Sequence, residues 1–186
     1  MKRVLCLITN GFEEIETVTP IDILRRAGVE VTVASVGVSI HVTGRSGIVM
    51  HADTTFSQVE DPSTFDLLLL PGGPQVKTLR EEGSATALAR QYAKSLKPVA
   101  AICAAPLILK DAGLLEGTPY TAHFSTREEL PSPREEPVVA DGLIITSQGA
   151  GTSLEFALHL VELLAGPAAA RDVAAAIMRN PASSHA

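Results

Sequence analysis

Short apolar, β-rich runs alternate along this chain with stretches of helical periodicity. Residues 4–9 form a continuous apolar run and predict a buried strand. Residues 14–27 read as a helix closed by Gly28, and residues 29–36 as a strand with alternating β-branched positions. Residues 38–52 predict a hairpin turning at 43–47. Residues 66–70 make a third buried strand, which stops at Pro71-Gly72-Gly73. A helix over 84–96 and a strand over 98–102 follow, the strand running straight into Cys103. Residues 119–122 predict a short strand. A proline-rich, charged loop at 130–137 leads to a second hairpin over 138–146, where Asp141-Gly142 is a strong turn signal. A long amphipathic helix at 151–165 is broken by Gly166-Pro167. A last helix runs to about Arg179, and the segment 181–186 is expected to fray. This alternation predicts an α/β fold: a doubly wound, mostly parallel sheet with helices on both faces and accessory β-hairpins. No repeat or linker divides the chain, so residues 1–186 read as one domain.

Composition narrows the function classes. Hydrophobic residues make up 46% of the 186 positions and aromatics only 4%, so the core is aliphatic. A net charge of -6 offers no electrostatic footprint for nucleic acid or an anionic membrane surface. The apolar run behind the basic Lys2-Arg3 tip is too short for a signal peptide, and nothing approaches the length of a membrane span. Cys6 falls in the first strand and Cys103 at a turn, which suits a reducing compartment better than a disulfide scaffold. The expectation is a soluble, cytoplasmic protein.

In open α/β sheets, ligands gather at the carboxyl ends of strands where the strand order reverses. Three segments fall at such ends: residues 10–16, residues 70–74, and Cys103 with the helix-like segment after it. A cysteine at a sharp strand-to-helix turn sits near unpaired N–H groups and a helix dipole, which favour the thiolate nucleophile. The plainer reading of Cys103 is a small buried core residue. Glu13 and Glu14 are adequately explained as acidic residues at a helix start. Ile15 and Glu16 are placed to face the sheet edge, where a carboxyl buried beside a cysteine would have a raised pKa and shuttle a proton. Gly72-Gly73 reads either as a tight turn or as backbone N–H groups aimed at an oxyanion. His123 is either a half-buried structural histidine or a partner to the thiol. His41, His51, His159 and His185 show no metal-ligand spacing, and neither a Walker loop nor a dinucleotide fingerprint is present.

Taken together, residues 10–18 (NGFEEIETV), 70–73 (LPGG), 100–106 (AAICAAP) and 146–157 (TSQGAGTSLEFA) resemble the ThiJ/PfpI superfamily, most nearly the branch holding the Parkinson-disease-associated protein deglycase. The resemblance spans nearly the whole chain in the same order. It implies a flavodoxin-like sandwich, a homodimer and no cofactor or metal. It also places the nucleophile at Cys103, the partner carboxyl at Glu16, and oxyanion donors on the backbones of Gly72, Gly73 and Ala104. His123 matches the family's nearby histidine, and Arg26 and Arg45 match arginines at the mouth of the site. Members proposed as peptidases carry a histidine directly after the cysteine, where this chain has Ala104. The related glutamine amidotransferases need a His-x-Glu that is missing here. The resemblance therefore implies cofactor-independent chemistry on methylglyoxal, glyoxal or early glycation adducts of proteins. The alternative is a redox-sensing stress protein or chaperone built on an oxidisable Cys103.

Overall fold

The computed structural model describes residues 1–179. His185 and the fraying expected at 181–186 lie outside the described residues. In chain order the elements are β1 (Arg3–Ile8), α1 (Glu14–Arg26), β2 (Glu30–Ser35), β3 (His41–Thr43), β4 (Val49–His51), β5 (Thr54–Thr55), β6 (Leu67–Leu70), α2 (Gln75–Glu82), α3 (Ser84–Lys94), β7 (Val99–Ile102), α4 (Pro106–Asp111), β8 (Val138–Asp141), β9 (Ile144–Ser147), α5 (Ser153–Ala165) and α6 (Pro167–Ala176). One sheet has the strand order β5-β2-β1-β6-β7-β9-β8, and only β8, through the Asp141-Gly142 hairpin, runs antiparallel to its neighbour. The other hairpin, β3 with β4, stands apart as a two-stranded ribbon.

The period-2 pleat sends alternate side chains of β1 to opposite faces. Val4, Cys6 and Ile8 pack under α1, α5 and α6, while Leu5 and Leu7 pack under α2, α3 and α4. Both faces are buried, which is why the strand reads as continuously apolar. From β1 the chain passes to β2 on one side and later to β6 on the other. The loops after β1 and β6 therefore diverge over a crevice at this reversal. They are also stitched together. Glu13 N–H donates to the Gly72 carbonyl (3.1 Å), and Gln75 N–H donates to the Gly11 carbonyl (3.1 Å). The fully buried Gln75 side chain accepts from Thr9 N–H (2.7 Å) and donates to the Pro71 carbonyl (2.9 Å).

Two expectations need correction, and one helix went unpredicted. Residues 119–122 do not form a strand: Thr121 N–H donates to the Thr146 hydroxyl (2.9 Å) and the Thr121 hydroxyl to the Arg134 carbonyl (2.8 Å), so side chains replace a ladder. Helix α2 carries no strong periodic signal, because Val76 and Leu79 are its only buried apolar residues. Ile15 does not face the sheet edge with Glu16; it is 52% exposed while Glu16 is buried.

Thr146 thus holds the segment that leads to His123. Thr146→Val should leave the Thr121 N–H unpaired in a buried setting and cost about 1–3 kcal/mol. Urea denaturation monitored by circular dichroism reads this directly; an unchanged midpoint would show that the bond is dispensable.

Candidate active site

Cys103 closes β7 with φ +66, a left-handed conformation that costs a non-glycine residue about 1–3 kcal/mol. Its N–H donates to the Ser147 carbonyl (3.0 Å), and its carbonyl accepts from His123 N–H (2.9 Å), so neighbours on both sides hold the turn. The sulfur lies at the floor of an open cleft of about 770 Å³. Glu16 reaches it from the first turn of α1. That turn is capped by Glu13, whose carboxylate accepts from Glu16 N–H (2.7 Å).

The Glu16 carboxyl is buried. Its Oε2 accepts from Gly72 N–H (3.1 Å), and the carboxyl stands beside the Cys103 thiol. The pair leaves no room for a side chain between them. A Cβ at Gly72 would stand 2.5 Å from Glu16 Oε2 and 2.6 Å from Cys103 Cβ. Gly73, at φ +92, would place a Cβ 2.6 Å from the Glu13 nitrogen and the Gly11 oxygen. These are the close approaches that require the paired glycines.

Burial pushes the Glu16 carboxyl up from the ordinary 4.5 to about 7, against the opposing pull of the neighbouring Cys103 thiol and the Gly72 N–H. The thiol moves the same way. Burial, then the Glu16 charge and hydrogen bond, push Cys103 up to about 12, while the N–H groups of Gly73 and Ala104 pull it down. The expectation of a thiolate stabilised by its turn alone is therefore corrected. Desolvation outweighs the N–H groups, and a charged Glu16 adds to it. A proton on Glu16 removes that repulsion and turns the carboxyl into a donor toward sulfur.

The oxyanion assignment changes as well. Gly72 N–H is already committed to Glu16, so the N–H groups that face the sulfur are those of Gly73 and Ala104. His123 lines the cleft, its Nδ1 held by the Ser125 hydroxyl (2.8 Å) and Ser125 N–H (3.3 Å). Burial and the Arg45 charge lower its pKa, so the ring is neutral at pH 7 with its proton on Nε2. Gly149 sits between this ring and Glu16: a Cβ there would lie 3.4 Å from His123 Cδ2 and 3.6 Å from Glu16 Oε1.

The two arginines part company. Arg45 lines the cleft because its turn is fastened to the β1–α1 loop. Its N–H donates to the Phe12 carbonyl (2.8 Å), Ser46 N–H donates to Glu14 Oε1 (2.7 Å), and Thr43 N–H donates to Asn10 Oδ1 (2.9 Å). Glu14 therefore does more than favour a helix start. Arg26 does not reach the site. It is exposed in the last turn of α1, paired with Asp22 (2.8 Å), and ten residues of helix carry it ~15 Å from Glu16. Sequence reasoning also missed Gln75, Ser125, Gly149 and Arg80. A glutamine opening a helix directly after Gly-Gly-Pro was the available signal for the first. Among the described residues, no group of three His, Cys, Asp or Glu side chains could hold a metal ion, and no helix is long and apolar enough to cross a membrane.

Comparison with known proteins matches residues 2–163 to the DJ-1/PfpI family. The chain belongs to that family. It is 40% identical to protein DJ-1 homolog A of Arabidopsis thaliana, over 97% of this chain and 47% of that protein, so it spans about half of that relative's length. It is 34% identical to deglycase PfpI of Pyrococcus furiosus, over 87% of this chain and 99% of that one. The solved structure of oxidised Toxoplasma gondii DJ-1 superposes with a TM-score of 0.91 at 34% identity, covering 97% of this chain and 100% of that one. The mostly parallel α/β sheet is therefore the DJ-1 fold, as the four sequence motifs led us to expect.

A raised Glu16 pKa is a stability statement. The native state keeps the Glu16 proton up to about pH 7, while the unfolded carboxyl loses it near 4.5. Between these values the native state binds more protons, so its stability falls as pH rises, by about 3 kcal/mol across the window. Glu16→Gln mimics the protonated form and should flatten that slope, leaving the variant more stable than wild type at pH 8. Melting temperatures from pH 4.5 to 8 test this; parallel curves for the two proteins would refute it.

Proposed function

We propose that this DJ-1/PfpI protein is an enzyme of deglycase type, a cysteine-dependent, cofactor-independent glyoxalase acting on methylglyoxal, glyoxal or early glycation adducts of proteins. The observation that carries the reading is the buried Glu16 carboxyl packed beside Cys103 across Gly72 on one cleft, with the N–H groups of Gly73 and Ala104 favouring the thiolate. The name deglycase borne by the Pyrococcus furiosus relative supports it.

The thiol proton passes to Glu16 and the thiolate adds to the aldehyde carbon, forming a C–S bond. Gly73 and Ala104 N–H groups stabilise the alkoxide, which takes the proton from Glu16 and becomes a hemithioacetal. The Glu16 carboxylate then removes the C1 hydrogen, giving an enediol, and the proton returns at C2. The product is a thioester on Cys103, which water hydrolyses to lactate, or to glycolate from glyoxal, with release of the thiol. A carboxyl that titrates near 7 suits both halves of this cycle, because it gives and takes a proton at neutral pH. Neutral His123, with its proton on Nε2, assists as a donor to the substrate oxygen.

A second reading shares the site: Cys103 as an oxidation sensor in a stress protein or chaperone. Cys103 opens on the cleft, whereas Cys6 is fully buried and burial pushes its thiol further up. Two free thiols suit the cytoplasm. A homodimer is part of the proposal. Ile15 and Val18 on α1 are exposed, as are Ile48 and Val49 beyond the turn that Glu14 fastens, and exposed apolar side chains of this kind are what a second copy would cover.

Conversion of methylglyoxal to lactate without glutathione tests the main reading. Wild type should turn over, and Cys103→Ser and Glu16→Gln should each lose at least about a hundredfold in kcat/KM. Full activity in Cys103→Ser would sink the mechanism. Under mild peroxide, mass spectrometry should find Cys103 oxidised before Cys6, and equal oxidation would remove the basis for the sensor reading.

A further inference from the structure

The outer half of the cleft holds a charged cluster that the chemistry above does not use. Arg80 projects from α2 with both sides of its guanidinium occupied. Nε and Nη2 donate to the two Asp111 oxygens (2.7 and 3.0 Å), and Nη1 and Nη2 donate to the two Glu129 oxygens (2.8 Å each). Lys110 Nζ adds a bond to Glu129 (2.8 Å). Three separate elements meet at this one fork. Helix α2 follows Gly73, α4 follows Cys103, and Glu129 stands in the loop that begins at His123. Each of the three thus carries a group of the reacting centre at its near end and is tied to Arg80 at its far end.

The loop transmits such a tie. His123 is linked to Glu129 by short local bonds: Thr126 N–H to the His123 carbonyl (3.0 Å), the Thr126 hydroxyl to the same carbonyl (2.8 Å), and Glu129 N–H to the Thr126 carbonyl (2.9 Å). Thr126 and Leu130 are buried, but Arg127, Glu128 and Glu129 are exposed, so the outer edge of the loop depends on its charged contacts. Arg80, Asp111, His123 and Ser125 all line the same cleft. A bidentate guanidinium on two carboxylates is a stiff, directional joint that a lysine does not reproduce.

We propose that Arg80 is a positioning residue: by bridging Asp111 and Glu129 it holds the 123–130 loop against α2 and α4, and so sets His123 and its Ser125 partner over Cys103. It touches no reacting atom and acts through Glu129. The catalytic consequence rests on the proposed function; the placement of His123 does not.

The test is an NMR titration of the His123 ring in wild type, Arg80→Ala, Glu129→Gln and Asp111→Asn, paired with methylglyoxal kinetics. Charged groups of the same cleft are Glu13, Glu16, Arg45, Lys77, Arg80, Glu81 and Asp111, of which Arg45 alone shifts the ring by its charge, and Arg45 is untouched by these changes. Burial and Arg45 lower the wild-type His123 pKa, so a loosened, better-hydrated ring should titrate higher. Arg80→Ala and Glu129→Gln should raise the midpoint by a similar amount, while Asp111→Asn, which leaves the loop contact in place, should shift it less. kcat should fall about tenfold in the first two, with KM changed less than about threefold. Arg80→Lys should not restore it. Glu129→Gln keeps the inference testable if Arg80→Ala does not fold. An unmoved His123 midpoint in Glu129→Gln, or an equal shift in Asp111→Asn, overturns the proposal. Shifted midpoints in a protein without dicarbonyl turnover would uphold the positioning role and refute the glyoxalase reading instead.

Discussion

The burial of a carboxyl beside a thiol is the constraint on which the rest of this site depends. Neither group is comfortable as an anion in that environment. Glu16 rises to about 7 and Cys103 to about 12, each because water has been removed and, for the thiol, because the carboxylate is near. Two negative charges so close would repel strongly at the low effective dielectric of a buried site. In the proposed mechanism the reactive arrangement has a single negative charge on sulfur, the proton on Glu16, and the N–H groups of Gly73 and Ala104 as fixed dipoles. Fixed dipoles of this kind do not reorganise when charge moves onto a substrate oxygen.

The crossing point of the sheet explains how the pair is held there. Chain reversal between β1 and β6 separates the two loops that carry Glu16 and Gly72-Gly73, and a separated pair of loops is free to drift. Gln75 prevents this: its amide spans from Thr9 N–H to the Pro71 carbonyl and is wholly buried. Losing either bond would leave a desolvated backbone group unpaired. The hairpin ribbon is fastened in the same way, by Asn10 and Glu14, and this brings Arg45 to the cleft. Polar residues just after strand ends thus do the structural work that apolar packing does elsewhere.

The sheet was legible because each central strand is buried on both faces and so reads as an uninterrupted apolar run. Both hairpins were legible from glycine-bearing turns. Cys103, Glu16 and the glycine pair were legible as a set, since the strand-end rule places them together before any comparison is made. What failed has a common physical origin. Helix α2 rests on two apolar anchors, too few for a periodic signal. The segment at 119–122 exchanges strand pairing for side-chain hydroxyls, which no local pattern announces. The role of Gly72 N–H could not be told from that of Gly73, because both fit an oxyanion donor until the position of Glu16 Oε2 is known. Arg26 was misplaced because a match at one residue carries no information about distance along a helix.

The two arginines of the cleft show why charge count is a poor guide to a site. Arg80 meets two carboxylates and a neighbouring lysine, so its charge is locally neutralised and the Glu129 carboxyl is held down at about 2. What remains is geometry: a joint between three elements, partly exposed and therefore modest in stability terms, yet specific in direction. Arg45 makes no ion pair among the described residues, and its charge is felt by both Glu16 and His123. It lowers the cost of negative charge on Glu16 and keeps the histidine neutral. One arginine sets where the groups stand and the other sets the potential in which they react. Exchanging either for a lysine would preserve the formal charge of the cleft while losing the property that matters at Arg80.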